Sequence, residues 1–456
     1  MIAVKMPRFG SMHSVYHFFL ENSIKITGIC AQGTTKRYSC TVHSRHSYLF
    51  VGRFSCEHEI CPRKATWKLV RNHKIGLRLR FSYTIMKNVS VLHKYAAGKR
   101  MVLHRHRLRR RKVMSFDYIR KLPTPDEIRE QYPVPDSLVP IKQKRDAEIR
   151  DVLTGKSDKL LVIIGPCSAD NEDAVCDYIH RLAKVNDKVS DRLILIPRIY
   201  TNKPRTTGDG YKGIVHQPDP EKKEDFLHGL IAMRHMHIRA LSETGLSAAD
   251  EMLYPENWGY VSDILSYVAI GARSVEDQQH RLTVSGFDLP SGMKNPTSGD
   301  FSVMLNSVYA AQHPHRFIYR GYEVQTNGND LAHTVLRGAT SKHGRNIPNY
   351  HYEDLQILLG LYNERDLKNP ACIIDSNHSN SNKQFDQQVR IVKEVMHSRH
   401  LSPDIHNFVK GVMIESYIEE GNQKVGGGVY GKSITDACLG WEASERLIYD
   451  LAELNY

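Results

Sequence analysis

The chain has 456 residues, 41% hydrophobic and 25% charged, with a formal net charge of +13; that allows one large domain with extensions, or two or three ordinary domains. Residues 1–113 hold 24 Lys+Arg against 3 acidic residues, and residues 114–456 hold 39 against 47, so the basic excess belongs to the leader and says nothing for a nucleic-acid partner of the body. No apolar run is long enough to span a membrane, and the body's cysteines, Cys167, Cys176, Cys372 and Cys438, look like a reducing-compartment set, not a disulfide framework.

In chain order, residues 1–113 show no sustained hydrophobic period, and a basic run at 105–112 precedes a change of texture at Met114. Cys56 and Cys61 lack the paired spacing of a zinc module. Three readings of the leader stand. It is disordered upstream sequence translated from a misassigned start, the reading preferred here. It is an Arg-rich targeting peptide, against which its length and missing amphipathic helix count. Or it is a nucleic-acid-binding arm, although it lacks the interleaved aromatic and basic residues of such modules. Residues 114–158 read as a helical extension whose first helix is capped by Thr124 or Asp126.

From residue 159, short apolar runs alternate with amphipathic stretches. Strands are predicted at 160–164, 193–199, 247–251, 267–272, 289–294, 334–337, 371–375 and 411–415. Helical spacing joins Val175, Ile179 and Leu182, then Phe385, Val389, Val392 and Met396, and finally Leu447, Leu451 and Leu454; these stripes are read as core packing. Eight βα units with apolar strands predict a parallel sheet buried on both faces, and eight is the number that closes a (β/α)8 TIM barrel over 159–456. A doubly wound open sheet is the alternative, weakened because Gly-Pro-Cys-Ser stands where a Gly-rich phosphate fingerprint would follow the first strand. Residues 316–327, with a central glycine, predict an inserted β-hairpin.

The active site of such a barrel lies at the carboxyl ends of its strands. Those ends read Cys167, Arg198, Glu251, Arg273, Lys294, Arg337, His378 and Glu415. A lone arginine is usually a solvated surface residue and a lone cysteine a small core hydrophobe, but eight reactive ends out of eight are hard to explain that way. Clustered Arg198, Arg273, Lys294 and Arg337 imply an anionic ligand, because buried cations without partners are costly and guanidinium forks suit carboxylate and phosphate oxygens. Lys203-Pro204-Arg205-Thr206-Thr207 adds a second anion cradle. Cys167, His378 and Glu415, with Asp436 beyond the last strand, form a mixed sulfur, imidazole and carboxylate set suited to a divalent transition metal.

These residues sit in Ile-Gly-Pro-Cys-Ser (164–168), Asn-Lys-Pro-Arg-Thr-Thr (202–207), Ile-Gly-Ala-Arg (270–273), Met-Lys-Asn (293–295), Leu-Arg-Gly (336–338), Asn-His-Ser-Asn (377–380), Ile-Glu-Ser (414–416) and Tyr-Gly-Lys-Ser-Ile-Thr-Asp-Ala-Cys-Leu-Gly-Trp (430–441). With these motifs, residues 114–456 resemble the class I 3-deoxy-D-arabino-heptulosonate-7-phosphate (DAHP) synthases. The resemblance implies a cytoplasmic, metal-dependent aldol-type transferase that condenses phosphoenolpyruvate with D-erythrose 4-phosphate at the start of the shikimate pathway. It implies metal ligands Cys167, His378, Glu415 and Asp436, the ion being manganese, iron, cobalt or zinc. It implies a phosphoenolpyruvate site of Arg198, Lys203, Arg273, Lys294 and Arg337 with Glu251 close by, and an erythrose 4-phosphate site at Lys203, Pro204, Arg205 and Thr206. Lys203 would donate a proton and Glu251 position or activate water. Feedback inhibition by an aromatic amino acid, at a site built from 114–150 and 316–327, and a homodimer or homotetramer without membrane or nucleic-acid partner are also implied. One departure is Pro197 before Arg198, where methionine is common in the family; it puts the placement of Arg198 in question if a backbone N–H is needed there.

The nearest rival condenses phosphoenolpyruvate with arabinose 5-phosphate, as 3-deoxy-octulosonate 8-phosphate synthases do. Those enzymes carry Ala-Asn-Arg-Ser-Ser after the lysine, where this chain has Pro204-Arg205-Thr206, so the turn favours the four-carbon sugar. A nucleic-acid-binding protein acting through the leader would leave every strand-end residue unexplained.

Overall fold

The computed structural model describes residues 116–205 and 207–455, and the backbone of short strands within the first 115. It divides into two units, Met1–Asp117 and Tyr118–Tyr456. In the first, Ile24–Lys25, Ile29–Gln32, Thr35–His43, Leu49–Glu57, Trp67–Leu69 and Ile75–Leu77 pair antiparallel in one sheet. The expected disorder of the leader and its misassigned start lie otherwise outside the described residues.

The second unit opens with α1, Pro125–Gln131, where Thr124 and Glu127 form a capping box and proline occupies the first turn. Of the two predicted caps, Thr124 is the one used; its side chain and that of Glu127 each satisfy a backbone N–H that the helix leaves orphaned. Helix α2, Val139–Leu153, follows.

Eight strands then run parallel: β1 Leu160–Gly165, β2 Leu193–Pro197, β3 Ala249–Glu251, β4 Tyr267–Ile270, β5 Ser291–Lys294, β6 Ala332–Leu336, β7 Cys372–Asp375 and β8 Val409–Glu415. Their order is β2-β1-β8-β7-β6-β5-β4-β3. A parallel bridge between Arg198 and Ala249, with Ile199 N donating to Ala249 O at 2.9 Å, joins β2 to β3. The sheet thereby becomes the (β/α)8 barrel that the sequence predicts. All eight expected strands are present; β2 and β4 end two residues early because their predicted ends belong to the loops of the mouth, and β3, β5 and β7 begin one or two residues late at the opposite end of the barrel.

Strand alternation separates two cores. Leu161, Ile163, Ile194, Ile196, Ala269, Val335, Ile373 and Met413 fill the barrel, joined from below by Ile149, Val152 and Leu153 of α2. Leu160, Val162, Ile164, Leu195, Val268 and Ile374 face the outer helices. There α3, Glu172–Val189, buries Val175, Ile179 and Leu182, each such side chain stabilising the fold by roughly 1.5–3 kcal/mol. The stripe through Val392 and Met396 lies on α4, Gln387–Leu401; Phe385 precedes that helix and packs from its loop. Leu447 and Leu451 are buried on the final helix, Trp441–Leu454. The predicted hairpin pairs Arg316–Tyr319 with Tyr322–Gln325. Its turn, Arg320 and Gly321, has φ of 50° and 81°, the doubly left-handed turn whose twist matches paired strands.

Candidate active site

The mouth of the barrel gathers the predicted residues at the carboxyl ends of the strands. Gly165 ends β1 where the chain passes close to β2: a Cβ there would lie 2.4 Å from Arg198 O. That close approach puts Cys167 and Arg198 side by side. Arg198 N donates to Ile164 O at 2.9 Å on one side, and Ile199 N to Ala249 O at 2.9 Å on the other. The strand is therefore held on both flanks of Pro197, and Arg198 is placed in spite of the missing N–H.

Cys167, Glu415 and Asp436 present ligand atoms within 4.8 Å of one another. His378 stands at the edge of this group, its Nε2 3.8 Å from Glu415 Oε1. It occupies the left-handed region at φ 52°, a cost of order 1 kcal/mol for a non-glycine residue, and Lys383 N pins its carbonyl at 2.8 Å. His378 Nδ1 lies 2.9 Å from Asp375 Oδ2, though off the line of a hydrogen bond. The donor set fits a divalent ion: one soft sulfur and two carboxylates converge with an imidazole at their edge, and a cation already sits against them. Lys203 Nζ is 2.6 Å from Cys167 Sγ and 2.8 Å from Asp436 Oδ2.

Charge is dense here, and its effects are readable. Lys203 holds the Asp436 carboxyl well below its usual range. Burial alone would raise Glu415, but the Arg198 guanidinium, 2.7 Å from Oε1, together with His378 and Lys203, outweighs it and lowers the group's pKa. Burial, reinforced by the Glu415 charge, pushes the Cys167 thiol up to about 11. Burial lowers Lys203, but Cys167 and Asp436 more than reverse that and raise it.

The residues expected to bind anions form a second cluster beside the first. Arg198, Lys294 and Arg337 are buried. Arg198 also donates to Pro166 O and Cys167 O. Lys294 Nζ lies 3.2 Å from Asp375 Oδ2 and 3.8 Å from Glu251 Oε2. Arg198 Nη1 and Arg337 Nη1 are buried without a hydrogen-bond partner, so two guanidinium donors remain for an incoming anion; burial lowers the pKa of Arg337. Arg273 is exposed beyond the end of β4. Pro204 and Arg205 are half-buried, with Arg205 Nε donating to Tyr211 O at 2.8 Å. Thr206 lies outside the described residues.

A sequence profile of the DAHP synthetase I family matches residues 138–448. The chain belongs to that family. It is 35% identical over 337 residues to phospho-2-dehydro-3-deoxyheptonate aldolase of Haemophilus influenzae, covering 72% of this chain and 90% of the relative. It is 36% identical over 360 residues to the phenylalanine-inhibited enzyme of that name from Saccharomyces cerevisiae, covering 76% and 94%. A Trp-sensitive one from Shigella flexneri is 34% identical over 343 residues, covering 73% and 95%. Among solved structures, phospho-2-dehydro-3-deoxyheptonate aldolase of Francisella tularensis superposes with a TM-score of 0.69 at 30% identity, covering 74% of this chain and 98% of that one.

Within this DAHP synthetase I chain, sequence reasoning missed the residues that orient the others. Asp375 is fully buried and stands between Lys294 and His378. Asn377 Nδ2 donates to Glu415 Oε2 at 2.6 Å. Gln388 accepts from Glu415 N at 2.8 Å and donates to Glu415 O at 2.9 Å. Asp375 closes an apolar strand two residues before the Asn-His-Ser-Asn motif, and that position was a usable signal. Gln388 is one polar residue on an amphipathic helix, and nothing in the sequence marks it.

Proposed function

We propose that this chain condenses phosphoenolpyruvate with D-erythrose 4-phosphate and water, giving DAHP and inorganic phosphate. The observation that carries this reading is the pair of partnerless buried guanidinium donors, Arg198 Nη1 and Arg337 Nη1, next to the convergent Cys167, Glu415 and Asp436. Arg198, Lys294 and Arg337, with Arg273 at the rim, hold the phosphate and carboxylate of phosphoenolpyruvate. Lys203, Pro204, Arg205 and Thr206 receive the sugar phosphate.

Carbon 3 of phosphoenolpyruvate forms a bond to the aldehyde carbon, water adds to carbon 2, and the C–O bond to phosphate breaks. Lys203 gives a proton to the new alkoxide. Glu251, buried 3.8 Å from Lys294 Nζ, positions the water and takes its proton. Holding two anions together converts an improbable encounter into a unimolecular step. Cys167, His378, Glu415 and Asp436 would hold one divalent ion, manganese, iron, cobalt or zinc, which supplies Lewis-acid polarisation of the aldehyde oxygen.

Regulation by an aromatic amino acid is part of the proposal. A cavity of about 380 Å³ is lined by Arg129, Trp258, Ser285, Phe287, Phe317 and Tyr319, among others, so α1, the turn Pro255–Tyr260 and the hairpin share it. Its volume suits an amino-acid ring, and the relatives named Trp-sensitive and phenylalanine-inhibited support the assignment. The chain is further proposed to work as a homodimer or homotetramer in the cytoplasm, without nucleic acid; no helix among the described residues is long and apolar enough to cross a membrane.

Phosphate release from phosphoenolpyruvate, measured with erythrose 4-phosphate and with arabinose 5-phosphate, tests the reaction. Turnover with the first sugar alone is expected. Turnover with the second alone would replace this reading by its rival.

A further inference from the structure

Tyr200 has no role in the chemistry just described, yet it sits under two of the three buried cations of the anion site, Arg198 and Lys294. On the strand and its continuation, Ile194, Ile196, Arg198 and Tyr200 are two residues apart and share the inward face; Ile194, Ile196 and Tyr200 belong to the interior cluster. The Tyr200 side chain is 2% exposed. Its ring centroid lies 3.8 Å from the Arg198 guanidinium carbon and 5.6 Å from Lys294 Nζ. Two cations from different strands thus share one aromatic ring.

The backbone fixes that ring. Tyr200 O accepts from Ala169 N at 2.8 Å, and Thr201 N donates to Asp250 Oδ1 at 2.9 Å. The hydroxyl does little: it donates to Met413 Sδ at 3.5 Å, and a thioether is a weak acceptor. The face of the ring, not the phenol, is what the arginine and the lysine meet. An aromatic quadrupole attracts cations most strongly where water is excluded, and Arg198 is 2% and Lys294 also 2% exposed.

We propose that Tyr200 is a positioning residue that holds Arg198 and Lys294 in the geometry that receives the anionic substrate. It leaves the Nη1 donor of Arg198 free while restraining the rest of the guanidinium. This rests on the reading that these two cations bind phosphoenolpyruvate.

The experiment is a substitution series at position 200, with thermal midpoints as a check on folding. Tyr200→Phe should keep the KM for phosphoenolpyruvate within about twofold. Tyr200→Met, of similar volume but without a ring, should raise that KM roughly ten- to thirtyfold, as expected of a desolvated cation–π contact, with a smaller change in the KM for the sugar phosphate. Phenylalanines of increasing fluorination at position 200 change the quadrupole and hardly the shape, and should raise the KM step by step. A flat fluorine series, or a Phe variant as impaired as the Met variant, overturns the proposal. Failure of the unsubstituted chain to bind phosphoenolpyruvate would instead overturn the reading beneath it.

Discussion

Lys203 Nζ lies 2.6 Å from Cys167 Sγ, so the loops after two adjacent barrel strands meet through an ammonium and a sulfur. The two effects on the thiol oppose each other. Lys203 favours the thiolate, but burial and the Glu415 charge prevail and push Cys167 up to about 11. A divalent ion takes the thiolate form, and it would meet the sulfur where the lysine cation now compensates charge.

Replacing Cys167 therefore tests the metal assignment directly. Cys167→Ala should weaken retention of the ion by about a hundredfold or more, since even the residues that orient ligands are worth 10–100-fold, and should abolish turnover. Elemental analysis of the purified variant and phosphate release read the two outcomes. Full activity with no bound ion would show the assignment to be wrong.

Lys203→Ala separates proton transfer from binding. General acid catalysis contributes on the order of 10²–10⁴ in rate, so kcat should fall by about that much. Lys203→Arg should recover little, because a guanidinium that keeps its proton is a poor acid. A kcat within a few-fold of wild type in both variants would move the proton donor elsewhere.

Gly165→Ala probes the close approach of β1 and β2. Its Cβ would stand 2.4 Å from Arg198 O and 3.0 Å from Arg198 N, and backbone atoms cannot swing aside as a side-chain end can. Overpacking of this kind costs roughly 1–3 kcal/mol. The thermal midpoint should drop and the KM for phosphoenolpyruvate should rise together, because the displaced carbonyl belongs to the arginine proposed to bind it.

The number and order of the strands were legible because apolar runs and helical stripes alternate at two clear periods. The strand-end residues were legible because eight consecutive ends carry reactive groups. Tyr200 was not: it reads as an ordinary residue after its strand until the barrel closes and brings Lys294 to it. The position of His378 at the edge of the Cys167, Glu415 and Asp436 group was also hidden, since it depends on a left-handed backbone at a histidine. The short lengths of β3 and β5 escaped as well: Ser247 and Ala248, and Leu289 and Pro290, continue the pattern but lie in the loops that enter these strands at the end opposite the mouth.

Asp170 makes stability depend on pH in a defined window. Burial pushes its carboxyl up to about 6, against the Tyr417 hydroxyl that donates to it at 3.4 Å. In the unfolded chain the group titrates near 3.9. Below about pH 4 it is neutral in both states and costs nothing. Between about pH 4 and 6 the unfolded chain gains by ionising before the folded one, so this group's contribution to stability falls as pH rises. Asp170→Asn should melt a few degrees higher than wild type at pH 8, with little difference at pH 4. Equal differences at both pH values would contradict the account.

The cavity beside the hairpin gives the last test. Ser285 Oγ is 2.7 Å from Thr326 Oγ1 and donates to Leu282 O at 2.6 Å, and Trp258 stacks on Phe287 at 4.0 Å, so one wall is polar and another aromatic. Filling it by Ser285→Leu should exclude a ring. With phenylalanine, tyrosine and tryptophan assayed in turn at millimolar concentration, one is expected to inhibit the wild-type chain, and the variant should need more than tenfold as much of it. Ser285 lies far from the reacting groups in sequence and contacts none of them in these hydrogen bonds, so kcat and both KM values without inhibitor should stay within about twofold. If no amino acid inhibits the wild-type chain, the cavity serves no feedback role. If the variant stays fully sensitive, the effector binds elsewhere.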